Sequence, residues 1–213
     1  MKTMTELSSD LHNVSESLKK NNYCLLSLNS YQESRELCCT IGEIIYENDI
    51  SPNLRSRSLS NSFKALDFHT DHHIADYIGI FCIEQSDIGG ETVLVDSYEV
   101  LKMLTENERE CLKGINLYEH KIFEDDNETH SMLMEINGVY KIYYSYWLMK
   151  NEMDVVQKEV FEKFRAMTHT AKQIRFKLKP NELLIFDNRR LLHSRTEIGK
   201  GEKRLLKRVW VKI

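Results

Sequence analysis

The sequence has few of the residues that cross-link secreted proteins or interrupt regular structure. Its five cysteines are odd in number and include no CxxC pair, and two prolines with eight glycines leave no collagen-like or low-complexity segment. The N-terminal segment lacks the apolar core of a signal peptide, and no apolar run approaches the roughly 18 residues of a membrane span. We therefore expect a cytoplasmic protein with free thiols and no membrane partner.

Positive charge is also scarce. The formal net charge is -4 at pH 7, which argues against a nucleic-acid-binding surface, because such surfaces are basic. Hydrophobic residues make up 41% and charged residues 29%, values typical of globular proteins. The length of 213 residues predicts a single domain over residues 1–213, as a monomer or a homodimer.

The first 62 residues favour a buttress of helix and strand at the N-terminus. Residues 4–21 are polar and compatible with a helix, and the apolar run at 23–28 predicts a short strand. Apolar residues recur at helical spacing over 33–48, which predicts one amphipathic helix. The serine-rich segment 49–62 predicts an irregular connector.

The rest of the chain favours many short strands supported by helices. Asn137-Gly138 between two apolar runs predicts a β-hairpin. This distribution favours a β-sandwich or barrel with flanking helices over a βαβ fold, in which strands and helices would alternate throughout. The segments are strands at 77–85 and 89–97, helices at 97–114 and 154–173, and at least three strands from residue 174 onward.

A histidine-rich stretch, FHTDHH, raises the question of a metal site. His69 and Asp71 are two residues apart, so on a strand both side chains point to the same face. The pair alone is a weak signal, since a solvated turn is the more common setting of such residues. With His193 as a third donor, the residues form two imidazoles and one carboxylate, a set that leaves positions on Fe(II) open. A structural zinc site is disfavoured because no cysteine cluster exists.

Four segments together resemble a known family. FHTDHH, GGETVLVD, NELLIFDNRRLLHSRT and RLLKRVW, in this order, are similar to the iron(II)/2-oxoglutarate-dependent dioxygenases of the TauD/TfdA (taurine dioxygenase, clavaminate synthase-like) group. The resemblance runs from about Ala65 to the C-terminus and is weakest over 115–175. It implies a double-stranded β-helix (jelly roll) with Fe(II), 2-oxoglutarate and O2 as cofactors and co-substrates.

The resemblance also implies roles for individual residues. His69, Asp71 and His193 match the metal ligands, and Thr92 matches a threonine that contacts 2-oxoglutarate. Arg208 matches the arginine that pairs with the far carboxylate of 2-oxoglutarate, and Arg204 matches a second such arginine more loosely. Arginine suits this task because its planar guanidinium binds a carboxylate through two hydrogen bonds. An exposed position on a strand is the alternative for Arg204 and, less so, for Arg208.

By this resemblance, the carboxylate at Asp71 implies hydroxylation, or a related oxidation, of a small molecule, with release of succinate and CO2. The resemblance also implies that segment 115–150 forms a substrate-side lid. Its aromatic residues and the acidic run at 123–128 could cradle an amine-bearing or amino-acid-derived substrate from specialised metabolism, but packed tyrosines and a solvated acidic loop are the simpler interpretation.

Three alternatives stay open. The same chemistry could give desaturation, cyclisation or epoxidation, and a non-catalytic metal-binding protein could keep the ligands without turnover. His72 and His73 could support the site, line its entrance or face solvent. The remaining histidines, in polar or helical settings, are not expected to be ligands: His12, His120, His130 and His169.

Overall fold

The computed structural model describes residues 4–53, 59–149 and 153–213, and side chains from residue 12 onward. The N-terminal part contains α1 (Met4–Asn21), β1 (Tyr23–Ser27), α2 (Tyr31–Ile41) and β2 (Glu43–Ile50). The chain continues through β3 (Leu66–His69), β4 (Tyr77–Glu84), β5 (Thr92–Asp96), α3 (Ser97–Lys102), α4 (Glu106–Lys113) and β6 (Asn116–Tyr118). There follow β7 (Thr129–Ser131), β8 (Leu133–Ile136), β9 (Val139–Ile142) and α5 (Val155–Thr170). The C-terminal strands are β10 (Gln173–Phe176), β11 (Glu182–Asp187), β12 (Leu191–Arg195) and β13 (Leu205–Lys212).

Two antiparallel sheets form the body of the protein. One has the strand order β1-β11-β4-β13-β2, and the other has the order β10-β5-β12-β3. Strands adjacent in a sheet come from distant parts of the chain, so the connections cross from one sheet to the other. The fold is a double-stranded β-helix with flanking helices, which confirms the predicted fold class.

Alternating side chains build three apolar layers around these sheets. Leu94, Leu184 and Trp210 belong to the cluster in which both sheets pack together. Val93 and Val95 point to the opposite face of β5 and pack with residues of α3, α4 and α5. On the five-stranded sheet, the outward residues pack against α1 and α2. Period-two burial along each strand therefore places one helical layer outside each sheet.

One predicted helix is wrong in its second half. The helix predicted over 33–48 ends at Ile41, and Glu43–Ile50 forms β2, an edge strand paired with β13. The chain bends at Gly42, where an added Cβ would lie 2.2 Å from the carbonyl oxygen of Lys212. Isoleucines at helical spacing also suit a strand, and pairing with β13 decides between the two.

Other local predictions hold with small changes. The helix predicted over 97–114 divides into α3 and α4, because Thr105 caps α4 through a capping box with Glu108. The β8–β9 hairpin is confirmed, with positive φ at both Asn137 and Gly138 as a tight primed turn requires. Residues 54–58 of the predicted connector lie outside the described residues. Among the described helices, none combines the length and the apolarity needed to cross a membrane.

Candidate active site

Neighbouring strands bring the two predicted histidine ligands together. His69 ends β3 and lies directly opposite His193 of β12 in the antiparallel register. His193 therefore lies on a strand and not in the loop after one, and residues 187–190 form the turn that precedes it. Asp71 follows two residues after β3, and all three side chains are buried. Chain proximity thus brings Asp71 to His69, and sheet pairing adds His193.

The donor atoms of these residues converge on one point. One ligand atom from each of His69, Asp71 and His193 lies within 4.8 Å of the other two. Nε2 of His69 is 4.0 Å and Nε2 of His193 is 3.9 Å from Oδ1 of Asp71. Three such donors on one side of a point leave the other side open for exchangeable ligands.

The protonation states of these side chains suit metal binding. Burial lowers the pKa of His69 to about 3 and that of His193 to about 4, so both imidazoles are neutral at pH 7. Nδ1 of His69 is 2.8 Å from the carbonyl oxygen of Asp67, which leaves Nε2 as the ring nitrogen with a free lone pair. Burial alone would raise the pKa of Asp71, but Arg208 and the two imidazoles hold it well below its usual range.

Arg208 and Trp210 hold the carboxylate of Asp71 in place. Nη1 of Arg208 lies 2.8 and 2.9 Å from the two carboxylate oxygens, and Nε1 of Trp210 donates to Oδ2 at 2.9 Å. Nε of Arg208 donates to Oδ1 of Asn48 on β2. Arg208 is buried, as predicted, but its guanidinium already binds the carboxylate of Asp71.

Asn188 fixes the loop that carries Asp71. Its side-chain oxygen accepts from the backbone N–H of Asp71 at 2.8 Å, and its side-chain amide donates to the carbonyl oxygens of His72 and Ala75. Asn188 was not among the site residues predicted from the sequence. Its only sequence signal is a short polar residue in the turn before His193.

Arg204 has a different environment, next to Thr92. Both residues are buried and line a narrow cavity that His69 and His193 also border. Nε of Arg204 donates to Oε1 of Gln85, but Nη1 is buried without a hydrogen-bond partner among the described residues. Burial, together with nearby Arg195, lowers the pKa of Arg204 to about 9. Since an unpaired buried charge is costly, an anion bound in this cavity would compensate the charge of Arg204.

A larger cavity of about 490 Å³ lies beside this one and shares His69 and Arg208 with it. It borders His69, Asp71 and Arg208, and three aromatic residues, Tyr46, Trp147 and Trp210, face it. From the predicted lid segment, His120, Ile122 and Trp147 line it. The ring of Trp147 lies 4.9 Å from the ring of His69, so a molecule in this cavity would lie beside the proposed metal ligands.

Most of the aromatic residues predicted for the lid pack in the hydrophobic core instead. Tyr143 and Tyr144 are fully buried, and Tyr140 and Tyr146 pack against the same apolar cluster. In the acidic run, Asp126 is buried while its acidic neighbours are exposed. The simpler interpretation thus holds for the tyrosines and for most of the acidic run.

The histidines after Asp71 are not exposed surface residues. His72 is buried, and its Nε2 lies 3.0 Å from Oδ1 of Asp126. His73 is partly buried, stacks on His130 at 3.5 Å between ring centroids, and has its pKa lowered to about 4 by burial and by His130 and His72. The solvent-exposed alternative for both residues is wrong, because the β6–β7 hairpin covers them.

Comparison with known proteins identifies the family. Residues 40–210 match the family model described as "Taurine catabolism dioxygenase TauD, TfdA family". The chain belongs to the TauD/TfdA family. The matched range includes all six residues predicted to bind metal or co-substrate. The family's donor set agrees with the chemistry found here, because two neutral imidazoles and one ionised carboxylate suit Fe(II) with open coordination positions.

Two curated proteins are similar in sequence to part of this chain. Human gamma-butyrobetaine dioxygenase is 24% identical over 168 residues, covering 64% of this chain and 41% of its own length. Human mitochondrial trimethyllysine dioxygenase is 31% identical over 156 residues, covering 62% of this chain and 37% of its own length. The chain therefore spans about two fifths of the length of these relatives.

Solved structures share the fold. Asparagine oxygenase in complex with Fe(II), hydroxyasparagine and succinate has a TM-score of 0.79 at 16% identity, over 98% of this chain and 79% of that one. The non-heme iron oxygenase OrfP, in complex with Fe and alpha-ketoglutaric acid, has a TM-score of 0.76 at 14% identity, over 97% of this chain and 80% of that one. At this identity the likeness establishes the double-stranded β-helix.

Proposed function

We propose that this protein is an Fe(II)/2-oxoglutarate-dependent dioxygenase that hydroxylates an unactivated C–H bond of a small molecule and releases succinate and CO2. The observation that carries the proposal is the buried His69–Asp71–His193 group beside a cavity lined by Arg204, whose Nη1 is buried without a hydrogen-bond partner among the described residues. Relatives named gamma-butyrobetaine dioxygenase and trimethyllysine dioxygenase support it.

His69, Asp71 and His193 would hold Fe(II), each through one donor atom. When bound, the ion supplies the activation of O2 that protein side chains lack. The protein contributes neutral imidazoles, which burial keeps unprotonated, and a carboxylate that Arg208 and Trp210 hold in one orientation. Because the imidazoles are already neutral and the carboxylate is already ionised, as metal binding requires, little proton release should accompany iron uptake near pH 7.

Arg204 and Thr92 would bind the far carboxylate of 2-oxoglutarate. The sequence-based prediction gave Arg208 the main role and Arg204 the looser one, whereas the contacts favour Arg204, whose Nη1 has no partner among the described residues. Arg208 already binds Asp71, so its task would be to position that ligand. The hydroxyl of Thr92 would add a neutral hydrogen bond to the same carboxylate.

The cavity of about 490 Å³ would bind the substrate, with segment 115–150 as the lid. Trp147 and Ile122 would exclude water from the reacting carbon, and His120 would offer a ring nitrogen to a polar group. The substrate would be an amine-bearing or amino-acid-derived molecule. The names of the relatives and solved structures, which include butyrobetaine, trimethyllysine, hydroxyasparagine and hydroxyarginine, support this class.

The proposal is tested by measuring succinate formation from 2-oxoglutarate with Fe(II), while small amines and amino acids are screened as substrates. We expect stimulation by at least one amino-acid-derived compound and no turnover for His69→Ala, since two remaining ligands hold iron poorly. Iron binding without succinate formation would favour the non-catalytic metal-binding function. Mass spectrometry of the product separates hydroxylation, which adds an oxygen atom, from desaturation, which removes two hydrogens.

We also propose a cytoplasmic location. All five cysteines are free thiols, and Cys39 is exposed. Exposed free thiols suit a reducing compartment. Fractionation of cells that express the tagged full-length protein would test this.

A further inference from the structure

A second group of metal-binding side chains lies beside the first, between the loop after Asp71 and the β6–β7 hairpin. Its members are His72, His73 and Glu119, and one donor atom from each lies within 4.8 Å of the others. Apart from the His69 group, no other set among the described residues meets this criterion. The two groups share no residue, and the proposed reaction uses no member of the second one.

The donor atoms of this group face one another. Nδ1 of His73 is buried, has no hydrogen-bond partner among the described residues and lies 3.6 Å from Oε1 of Glu119. The rings of His72 and His73 have centroids 4.4 Å apart. Ligands of a tetrahedral ion with bonds of about 2.0–2.2 Å lie roughly 3.3–3.6 Å apart, so small movements would complete this site.

Surrounding residues orient the donors as partners of metal ligands commonly do. Nε2 of His72 lies 3.0 Å from Oδ1 of Asp126, which leaves Nδ1 with only a long contact of 3.3 Å from the N–H of Ile74. A carboxylate on one ring nitrogen favours metal binding by the other. Nε2 of His130 lies 2.6 Å from Oε1 of Glu119, and the backbone N–H of Glu128 donates to Oε2.

The charge of the cluster also favours a cation. Glu119 and Asp126 are both buried, and the neighbouring Lys121 donates to a backbone carbonyl and to Asn127 rather than to either carboxylate. Two buried carboxylates are stabilised by a divalent ion between them and the imidazoles. We propose that His72, His73 and Glu119 form a second metal site, which takes a divalent cation that prefers nitrogen and oxygen ligands, with Zn2+ as the best match.

The site would cross-link the lid segment to the loop that carries Asp71. His72 and His73 follow Asp71 directly in the chain, whereas Glu119 lies in the connection between β6 and β7. An ion bound by all three would cross-link these two parts of the chain, about fifty residues apart in sequence. Its occupancy would therefore stabilise the covering hairpin.

The test separates the two sites by removing the first. In the double variant His69→Ala/His193→Ala, stripped of metal with a chelator, calorimetric titration should show one equivalent of Zn2+ bound. Adding Glu119→Gln, which keeps the side-chain shape but removes the charge, should weaken Zn2+ binding by about 100-fold, and His73→Gln should do the same. His12→Ala, which removes an exposed histidine, is the matched control and should change nothing.

A second measurement covers the case in which the double variant folds poorly. The wild-type protein should bind two equivalents of metal by elemental analysis, and Glu119→Gln should bind one. Saturating Zn2+ should also raise the Tm of the wild type by several degrees more than that of Glu119→Gln. A single equivalent in the wild type, or Zn2+ affinity unchanged by both Glu119→Gln and His73→Gln, would overturn the proposal.

Discussion

Replacing Arg204 with methionine should weaken 2-oxoglutarate binding and, in the same variant, stabilise the protein that lacks 2-oxoglutarate. Arg204 is 3% exposed, and its Nη1 has no hydrogen-bond partner in the described part of the chain. Without a bound anion, this buried charge therefore destabilises the folded protein. Methionine has a similar length, fills the space and carries no charge.

The two effects have opposite signs and can be given magnitudes. Removing one partner of a buried, hydrogen-bonded charge pair costs about 2–5 kcal/mol, so the Kd for 2-oxoglutarate should rise between about 30-fold and several thousand-fold. Replacing buried charge with well-packed apolar atoms stabilises by about 1–4 kcal/mol. At roughly 2–4 °C per kcal/mol for a chain of this length, the Tm should rise by several degrees.

Arg208→Met is the matched control, because both arginines are buried near the same strand. Removing the guanidinium of Arg208 leaves the buried carboxylate of Asp71 without its ion-pair partner, which should destabilise the protein by about 3–5 kcal/mol. Anaerobic calorimetry of the Fe(II)-loaded proteins gives the Kd for 2-oxoglutarate, and thermal unfolding of the metal-free proteins gives the Tm. If Arg208→Met raised the Kd more than Arg204→Met, or if Arg204→Met lowered the Tm, the assignment of Arg204 to the co-substrate would be refuted.

Three further predictions concern metal binding, the Asp71 loop and pH. His193→Ala should reduce Fe(II) binding at least tenfold in equilibrium dialysis, with normal binding refuting its ligand role. Asn188→Ala should lower the free energy of unfolding in urea by about 1–3 kcal/mol, since it leaves the buried N–H of Asp71 unpaired; no change would contradict this. Burial lowers the pKa of His120 to about 4, so the unfolded chain takes up a proton between pH 6.5 and 4 that the folded protein does not, and stability falls as pH decreases. Between pH 7 and pH 5, the free energy of unfolding of metal-free His120→Gln should therefore fall by about 2 kcal/mol less than that of the metal-free wild type. Urea unfolding at both pH values measures the two decreases, and equal decreases would contradict this.

Most features predicted correctly from the sequence depend on residues that are close together in the chain. Period-two alternation defined most strands, Asn137-Gly138 defined a hairpin, and the spacing of His69 and Asp71 indicated a metal site, although Asp71 lies two residues beyond the end of β3. The C-terminal segment offered His193 as the third donor, and the resemblance supported it. Local spacing failed at 43–48, where the same isoleucines suit helix and strand and pairing with β13 decides.

Only the tertiary structure decided which partner each buried polar group finds. The bond from Asp71 to Asn188 joins residues 117 positions apart, and the pairing of Arg208 with Asp71 spans 137 positions. Nothing in the sequence distinguishes Arg208, which pairs with a carboxylate, from Arg204, whose Nη1 has no partner among the described residues, or predicts that Glu119 lies next to His73. The physical reason is that sequence periodicity specifies the face on which a side chain lies, whereas the crossing of strands between two sheets specifies what lies opposite that face.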